Sequence, residues 1–182
     1  MKKQNESKIL PRIGITIGDA AGIGPEITLK ALLDNSLNEV CLPILIGDFT
    51  FLENLASKLD LPFEFEIIKQ GEEIPDSSDR IICYDLANLH EEFIVGKDSG
   101  ITGKASAENI ETAVKICLEN KIDAIATAPI SKKALSMGGY NFPGHTEMLA
   151  ELTSTKDFAM SFFAEKLRVV LLSTHVSLVN AI

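Results

Sequence analysis

The sequence predicts an α/β fold in which a parallel-rich sheet carries helices on both of its faces. Short apolar runs alternate along the chain with amphipathic helical patterns, and this alternation is typical of successive βαβ units. A glycine-rich turn joins the first apolar run to the first helical pattern. The chain contains no internal repeat, no low-complexity tract and no obvious interdomain linker.

The first half of the chain predicts four strands and two helices. Pro25 opens the first helix at a position where a missing backbone N–H costs nothing, and Pro43 weakens the second strand because it cannot donate to a sheet ladder. The polar segment 70–79 contains Gly71 and Pro75, which indicates a loop. The predicted strands cover residues 13–17, 42–46, 63–68 and 80–84, and the predicted helices cover residues 26–33 and 49–59.

The second half contains the clearest helix, residues 104–120, in which apolar residues recur with a 3.6-residue period. The segment before it, residues 90–102, has no clear period, and Gly96, Gly100 and Gly103 indicate turns. The remaining patterns predict strands over residues 123–128, 157–163 and 168–172, and short helices over residues 131–136 and 146–152.

Composition argues against several classes of function. The chain has 182 residues, 46% of them hydrophobic and 24% charged, which is typical of a soluble globular domain. Its formal net charge of −9 disfavours nucleic acid or an anionic membrane as the main partner. No apolar run approaches the roughly 18 residues that span a bilayer, and residues 1–12 lack the apolar core of a secretory signal.

The three cysteines, Cys41, Cys83 and Cys117, are odd in number, form no CxxC motif and lie in apolar segments. This usage predicts reduced core thiols in a cytoplasmic protein. We therefore expect neither a disulfide nor a cysteine metal centre.

The glycine-rich turn, residues 18–26, has two possible roles. Glycines let the backbone turn tightly or approach a ligand, and a helix N-terminus attracts anions. The turn is not a dinucleotide fingerprint, because Gly22 and Gly24 are followed by no third glycine at the required spacing. It also lacks the lysine of a Walker loop. The sequence is compatible with both interpretations of these residues, a plain tight turn and a loop that lines a ligand site.

Residues 127–133, with the sequence TAPISKK, follow the carboxyl end of a predicted strand. Open α/β sheets bind ligands at that edge. Ser131 can cap the following short helix, and Lys132 could reach an anionic group. The alternative is a capped helix with a solvated lysine.

Two of the three histidines stand beside small polar residues at the ends of short elements. His145 and Thr146 would place an imidazole and a hydroxyl beside the N–H groups of a helix start, which suits a phosphate or a hydroxy acid. Thr146 could instead serve only as the helix cap. His175 ends an apolar strand and is either a rim residue or a ligand, whereas His90 is expected on the surface.

These motifs together resemble the 4-hydroxythreonine-4-phosphate dehydrogenase family of pyridoxal phosphate biosynthesis. The resemblance runs from about Arg12 to the last residue. Ile17 and Ala20 stand where the family commonly has proline, and Ala128 stands where glycine is common, which leaves a paralogue with a related substrate open. The four landmarks are residues 15–26 (ITIGDAAGIGPE), 127–132 (TAPISK), 143–147 (PGHTE), and the stretch from Leu167-Arg168-Val169 to Ser173-Thr174-His175.

The resemblance implies roles for three residues of this chain. His145 and Thr146 match two substrate-binding residues of the family. His175 matches the first of three histidines that hold a divalent metal, which could be zinc, magnesium or cobalt. The other two histidines, and a substrate-binding lysine, asparagine and arginine, belong to sequence after residue 182. Catalytic and cofactor-binding residues stay unassigned.

The resemblance also implies the isocitrate/isopropylmalate dehydrogenase-like architecture. That architecture has two subdomains with a cleft between them, and a homodimer completes each site. Residues 1–182 would be the N-terminal portion of such a dehydrogenase, with the C-terminal portion absent. The chain stops abruptly after an apolar segment, and we expect the isolated chain to be inactive.

The implied reaction is the NAD(P)-dependent, divalent-metal-dependent oxidation of 4-phosphooxy-threonine (4-hydroxythreonine 4-phosphate) at its C3 hydroxyl. The metal would act as a Lewis acid, and hydride would pass to NAD or NADP. The resulting β-keto acid would decarboxylate to 3-amino-2-oxopropyl phosphate. The alternatives are a paralogue that oxidises threonate or erythronate 4-phosphate, a phosphate acetyltransferase-like enzyme, and an inactive truncated fragment.

Overall fold

A computed structural model of the chain describes residues 10–173 and 177–181. The chain divides into two compact units, residues 1–142 and residues 143–182. The larger unit contains a parallel sheet and its covering helices, and the smaller unit contains a helix and a β-hairpin.

The larger unit is built on a five-stranded sheet. Its strands are β1 (Arg12–Thr16), β2 (Leu42–Gly47), β3 (Phe65–Lys69), β4 (Ile81–Asp85) and β5 (Ala124–Thr127). They follow the order β3-β4-β2-β1-β5, and every neighbouring pair is parallel. All five strands were expected from the apolar runs, and the predicted α/β class is confirmed.

The helices of this unit begin at residues suited to helix starts. Asp48 and Ser131 each accept a hydrogen bond from the backbone N–H three residues later, and Pro25 lies in the first turn of its helix. In the described part of the chain, no helix is long and apolar enough to span a membrane. The bounds are α1 (Gly24–Ala31), a 3₁₀ helix (Asn35–Glu39) absent from the sequence prediction, α2 (Phe49–Lys58), α3 (Gly100–Leu118) and α4 (Lys132–Met137).

Alternate residues of the central strand β2 face two separate cores, since successive side chains of a strand point to opposite faces. Ile44 is fully buried in one cluster with Ile116 of α3. Leu45 is fully buried in the other cluster with Leu29 of α1 and Leu52 of α2. Helix α3 therefore covers one face of the sheet, and α1 and α2 cover the other.

Pro43 lies near the start of β2, which is a central strand rather than an edge strand. Its partner on one side is Ile13 of β1. On the other side, the pairing of β2 with β4 begins only at Ile44 and Ile82. The proline therefore precedes the first β4 pair, which explains how a central strand accommodates it.

Helix α3 begins earlier than the sequence pattern predicts, and the expected turns at Gly100 and Gly103 are wrong. Both glycines are helical, and Ser99 caps the helix by accepting a hydrogen bond from the backbone N–H of Ile101. A Cβ on Gly103 would lie only 1.8 Å from the carbonyl oxygen of Ala134 in α4. Close packing between the two helices therefore overrides the weak helix propensity of glycine.

The smaller unit has α5 (His145–Leu152), β6 (Ser161–Ala164), β7 (Leu167–Val170) and α6 (Leu178–Ala181). Strands β6 and β7 form an antiparallel hairpin in which Ser161 lies opposite Val170. Both strands are shorter than predicted, and α6 is absent from the sequence prediction.

All three cysteines are free thiols, as predicted. Cys83 is buried in the sheet, whereas Cys41 and Cys117 are half-buried. Burial, together with the nearby carboxylates of Asp85 and Asp48, raises the pKa of the Cys83 thiol. The group therefore stays protonated and acts as a small apolar side chain.

Candidate functional site

The carboxyl ends of β1 and β5 lie side by side, and the chain leaves them toward opposite faces of the sheet. Strand β1 leads to α1 on one face. Strand β5 leads to α4, which packs against α3 on the other face. Open α/β sheets bind ligands at such a reversal, outside the carboxyl ends of the strands. The glycine-rich turn and residues 127–133 both lie at this edge.

The glycines of the turn are needed by the chain's own packing. The backbone N–H of Asp19 donates to the carbonyl oxygen of Pro129 at 3.0 Å. A Cβ on Gly18, whose φ is +72°, would lie 2.2 Å from the same oxygen. A Cβ on Gly24 would lie 2.5 Å from the carbonyl oxygen of Ile17. This packing favours the tight-turn interpretation over a cradle for a dinucleotide.

Asp19 stabilises the glycine-rich turn by accepting hydrogen bonds from backbone N–H groups within it. Its side chain is buried, and one carboxylate oxygen accepts a hydrogen bond from the backbone N–H of Ala21 at 2.8 Å. Its carbonyl oxygen accepts another from Gly22 at 2.9 Å. The Ser106 hydroxyl of α3 donates to the carbonyl oxygen of Gly18 at 3.0 Å. The shape of the turn is therefore set by bonds within the larger unit.

The loop before α3 borders the turn and gives it an apolar rim. The backbone N–H of Gly96 donates to the carbonyl oxygen of Ala21 at 2.7 Å. Ile23, Ile94 and Val95 are 66%, 62% and 72% exposed. The solvent-facing surface at this edge of the sheet is thus apolar, whereas the buried part of the glycine-rich turn is polar and hydrogen-bonded.

Ser131 caps α4, as predicted, and also joins the loop before α3 to the strand end. Its hydroxyl accepts from the backbone N–H of Ala134 at 3.1 Å and donates to a carboxylate oxygen of Asp98 at 2.5 Å. The other carboxylate oxygen of Asp98 lies 3.3 Å from the Lys133 ammonium. The hydrogen bonds from Ser131 and Lys133 lower the pKa of Asp98. Lys132 is exposed and forms no ion pair with any described residue.

Asp98 is the residue of this edge that sequence reasoning missed. It immediately precedes Ser99 and Gly100, and an acidic residue beside a serine cap and a glycine is a signal for an ordered turn before a helix. Its partner Ser131 lies 33 residues later in the chain, so no local sequence pattern could predict the hydrogen bond between them.

Helix α5 begins at His145, immediately before the predicted start. Its N-cap is Gly144, whose extended backbone (φ 176°, ψ −169°) offers no side chain to bond the helix N–H groups. Thr146 lies inside the first turn, so the alternative that Thr146 is the cap is wrong. His145 and Thr146 are both half-buried. The fold therefore places an imidazole and a hydroxyl in the first turn of a helix whose positive end has no side-chain cap.

The predicted metal ligand, His175, lies outside the described residues, and its role stays a prediction. Among the residues that the structure does describe, no group of three or more His, Cys, Asp or Glu side chains is placed to hold a metal ion. His90 is exposed, as predicted.

A cleft of about 730 Å³ opens beside α3 in the larger unit. The carboxylates of Glu91, Glu108 and Glu111 line it, together with Lys104 and His90. The Lys104 ammonium already lies 3.7 Å from Glu108. The excess of negative charge disfavours a phosphorylated acid here, and none of the predicted site residues lines this cleft.

Comparison with proteins of known sequence identifies close relatives. The chain is 46% identical over 176 residues to the D-threonate 4-phosphate dehydrogenase of Cupriavidus necator, and the match covers 97% of this chain and 53% of that protein. The chain thus spans about half the length of the curated relatives it matches.

Two crystal structures of proteins named 4-hydroxythreonine-4-phosphate dehydrogenase have the same fold. The structure from Burkholderia phymatum is 39% identical with a TM-score of 0.86, and the structure from Klebsiella pneumoniae is 35% identical with a TM-score of 0.84. Each match covers 94% of this chain and 52% of the other chain. These similarities confirm the dehydrogenase resemblance.

A family model gives the same result over most of the chain. Residues 39–182 match the model of the pyridoxal phosphate biosynthetic protein PdxA. The matched range contains the TAPISK strand end with its Ser131 cap and the PGHTE start of α5. Together with relatives and structures that are named dehydrogenases, this match shows that the chain belongs to the PdxA family of dehydrogenases.

Proposed function

We propose that this chain is the N-terminal portion of an enzyme that oxidises the C3 hydroxyl of a four-carbon acid phosphorylated at C4. The observation that supports this most directly is the start of α5. His145 and Thr146 lie in the first turn of that helix, behind a glycine N-cap with no side-chain hydrogen bond. Helix N-termini of this kind are suited to anionic groups such as phosphate.

The chemistry follows from the position of the oxidised hydroxyl. C3 is β to the C1 carboxylate, so oxidation gives a β-keto acid, which loses carbon dioxide readily. NAD or NADP supplies the redox chemistry by accepting the hydride. The glycine-rich turn does not fit a dinucleotide, because its glycines pack against the chain's own backbone. No residue of the glycine-rich turn is therefore assigned to binding NAD or NADP.

His145 and Thr146 are proposed to bind and orient the substrate. The Thr146 hydroxyl would donate a hydrogen bond to a phosphate oxygen, and the α5 N-terminus would add a favourable field. The His145 imidazole would donate to a second oxygen of the substrate. Both contacts hold the substrate in one orientation before hydride transfer.

D-threonate 4-phosphate is the proposed substrate, and 4-hydroxythreonine 4-phosphate is the alternative. The choice follows the sequence relative, which is 46% identical, whereas the structures named for the second substrate are 39% and 35% identical. The two acids differ only at C2, which carries a hydroxyl in the first and an amino group in the second. Oxidation and decarboxylation of D-threonate 4-phosphate would yield dihydroxyacetone phosphate.

The divalent metal and the homodimer implied by the family resemblance remain part of the proposal. His175 would be one metal ligand, but it lies outside the described residues, and the described residues contain no metal-binding group. The described residues therefore do not form a metal site by themselves, and no step of the proposed reaction depends here on the metal. Metal analysis of the purified protein, compared with a His175→Ala variant, tests this part separately.

The first test reads the coding sequence past codon 182 and assays the product of the whole open frame beside the 182-residue chain. We expect the longer protein to reduce NAD or NADP with D-threonate 4-phosphate and to release carbon dioxide. Its kcat/KM should exceed that for 4-hydroxythreonine 4-phosphate by about tenfold or more. The 182-residue chain should show no turnover. Absence of reduced nicotinamide with both acids would contradict the proposed function.

Replacing Thr146 with valine in the longer protein should raise KM for the phosphorylated acid by about tenfold or more while kcat changes little. Valine keeps the shape of threonine but removes a hydrogen bond to a charged group, which contributes about 1.5–3 kcal/mol. Because the phosphate is bound equally in the ground state and the transition state, the loss appears in KM. Steady-state kinetics measure both constants.

Thr153 provides the matched control at the opposite end of the same helix. Its hydroxyl donates to the carbonyl oxygen of Leu149 at 2.8 Å, and the residue is the C-cap of α5. Thr153→Val therefore removes a hydroxyl of the same kind without touching the proposed phosphate site. If both variants raise KM equally, or if Thr146→Val leaves KM unchanged, the assigned role of Thr146 is wrong.

A further inference from the structure

The segment between β4 and α3, residues 86–99, contains no helix or strand, and we call it the strap. Connections of about this length without secondary structure are uncommon in a compact unit, and many of them cover a binding site. The length of the strap therefore indicates a role beyond joining β4 to α3.

The middle of the strap crosses the carboxyl ends of the strands in the order in which they lie in the sheet. After the end of β2, the backbone N–H of Leu89 donates to a carboxylate oxygen of Asp48 at 3.0 Å. After the end of β1, the backbone N–H of Gly96 donates to the carbonyl oxygen of Ala21 at 2.7 Å. The strap therefore runs along the edge at which open α/β sheets bind ligands.

Both ends of the strap are fixed by side chains. The amide nitrogen of Asn88 donates to a carboxylate oxygen of Glu108 at 3.0 Å and to the side-chain oxygen of Asn109 at 3.2 Å. At the other end, Asp98 accepts the hydrogen bond from Ser131 described above. These bonds attach the strap to α3 on one side and to the start of α4 on the other.

The middle of the strap, residues 89–96, is held by fewer contacts than its ends. Besides the two backbone hydrogen bonds to Asp48 and Ala21, the ring of Phe93 lies 5.9 Å from the ring of Phe51 in α2. Within the described part of the chain, residues 90–92 form no ion pair. Segments with few buried contacts open locally at a free energy below that of global unfolding.

Gly96 is suited to act as the hinge of such an opening. Its φ is +82°, and a Cβ at this position would meet no atom within 4 Å. The glycine is therefore required by the left-handed backbone conformation rather than by lack of space. Because Asp98 is fixed two residues later, a change of the Gly96 dihedral angles can lift the middle of the strap while its end stays attached.

We propose that residues 89–96 form a gate over the carboxyl ends of β1 and β2, and that the gate opens as one unit. Opening breaks the hydrogen bonds at Leu89 and Gly96, while Asn88 and Asp98 remain attached. In the closed state, Asp48 and Ala21 are only 5% and 4% exposed. Opening uncovers a carboxylate oxygen and a carbonyl oxygen at this edge. The gate thus admits a small ligand that carries hydrogen-bond donors, such as a hydroxyl or amino compound.

The first test measures amide hydrogen exchange in the 182-residue chain without any ligand. If the gate opens as one unit, the amides of Leu89 and Gly96 exchange through a common opening, about a hundredfold faster than the amides of β2. Gly96→Ala retains the backbone N–H but makes the left-handed conformation unfavourable. This variant should accelerate exchange at both positions by about tenfold.

Gly71→Ala is the matched control. Gly71 lies in the loop between β3 and β4, has a φ of +91°, and would likewise place a Cβ in open space. The substitution introduces the same backbone strain at a position outside the strap, so exchange at Leu89 and at residue 96 should be unchanged. Circular dichroism checks that both variants are folded.

A second measurement tests whether opening gives access to the edge of the sheet. A cysteine introduced as Ala21→Cys lies beneath the gate, and its alkylation by iodoacetamide can be quantified by peptide mass spectrometry separately from the three native thiols. Adding Gly96→Ala should accelerate alkylation of this cysteine by about tenfold, in parallel with amide exchange. Adding Gly71→Ala should leave the rate unchanged.

Three outcomes would overturn the gate. The amides of Leu89 and Gly96 could exchange only when β2 unfolds, Gly96→Ala could accelerate exchange at its own position but not at Leu89, or alkylation at position 21 could fail to respond to Gly96→Ala. All of these measurements are made without substrate or turnover. Failure of the gate is therefore distinguishable from failure of the proposed function.

Discussion

Gly103→Ala is expected to lower the free energy of unfolding by about 3 kcal/mol, although alanine normally stabilises a helix interior relative to glycine by about 1 kcal/mol. A Cβ on Gly103 would lie 1.8 Å from the carbonyl oxygen of Ala134 and 2.6 Å from the backbone nitrogen of Leu135. Backbone atoms cannot rotate away as a flexible side chain can, so α3 and α4 must separate. Urea unfolding followed by circular dichroism measures the loss.

Lys104→Ala is the matched control on the same helix. Lys104 is exposed, and its ion pair with Glu108, at 3.7 Å, is a surface contact of small value. This variant should unfold close to the unchanged chain. If Gly103→Ala were as stable as the unchanged chain, or more stable, the helix propensity of alanine would outweigh the contact, and the close packing of α3 on α4 would be wrong.

The position of α4 has a consequence for the candidate site. Ser131 caps this helix and also bonds Asp98, so a displaced α4 would disturb the edge of the sheet next to the glycine-rich turn. Gly103→Ala in the longer protein is therefore expected to reduce activity as well as stability. The Lys104→Ala control should retain its activity.

Asp48→Ala is expected to lower the free energy of unfolding by about 2 kcal/mol, because two part-buried hydrogen bonds of the buried Asp48 side chain are lost together. The Asp48 carboxylate caps α2 by accepting from the backbone N–H of Phe51 at 2.8 Å, and a helix cap contributes about 1 kcal/mol. Its second oxygen accepts from the backbone N–H of Leu89 at 3.0 Å. An N–H left without a partner at this half-buried position costs a further ~1 kcal/mol, the lower end of the range for a buried group. Chemical denaturation gives the difference directly.

Asp34 provides the comparison for this second prediction. It caps the 3₁₀ helix by accepting from the backbone N–H of Ser36 at 3.0 Å, but it is exposed, and its carboxylate accepts no hydrogen bond from a distant segment of the described chain. Asp34→Ala should therefore cost much less than Asp48→Ala. Equal losses for the two variants would show that burial and the bond to Leu89 contribute nothing.

Much of the fold was predictable because hydrophobic periodicity reports burial. Strand β2 and helix α2 lie close to their predicted ranges, since the apolar residues of β2 face both cores and those of α2 face one of them. The caps at Ser131 and the proline start of α1 were predictable for a different reason. Helix starts depend on residues within a few positions of one another, so the sequence carries the signal.

The candidate site was predictable only in part. The TAPISK and PGHTE segments stood out because of their residue types, and the structure places them at a strand end and at a helix start. That Thr146 is not the helix cap became clear only when the N-cap proved to be Gly144. Its contact with a substrate stays a prediction, as does the metal role of His175.

The sequence by itself determined most of the segments that become strands and helices and which motifs carry polar chemistry, because these properties depend on short-range pattern and residue type. Tertiary structure alone decided the strand order, the reversal between β1 and β5, and the bond that joins Asp98 to Ser131. It also decided that Gly100 and Gly103 are helical rather than turns. The physical reason is that each of these depends on the close approach of segments distant in sequence, where the steric demand of a neighbouring backbone outweighs local propensity.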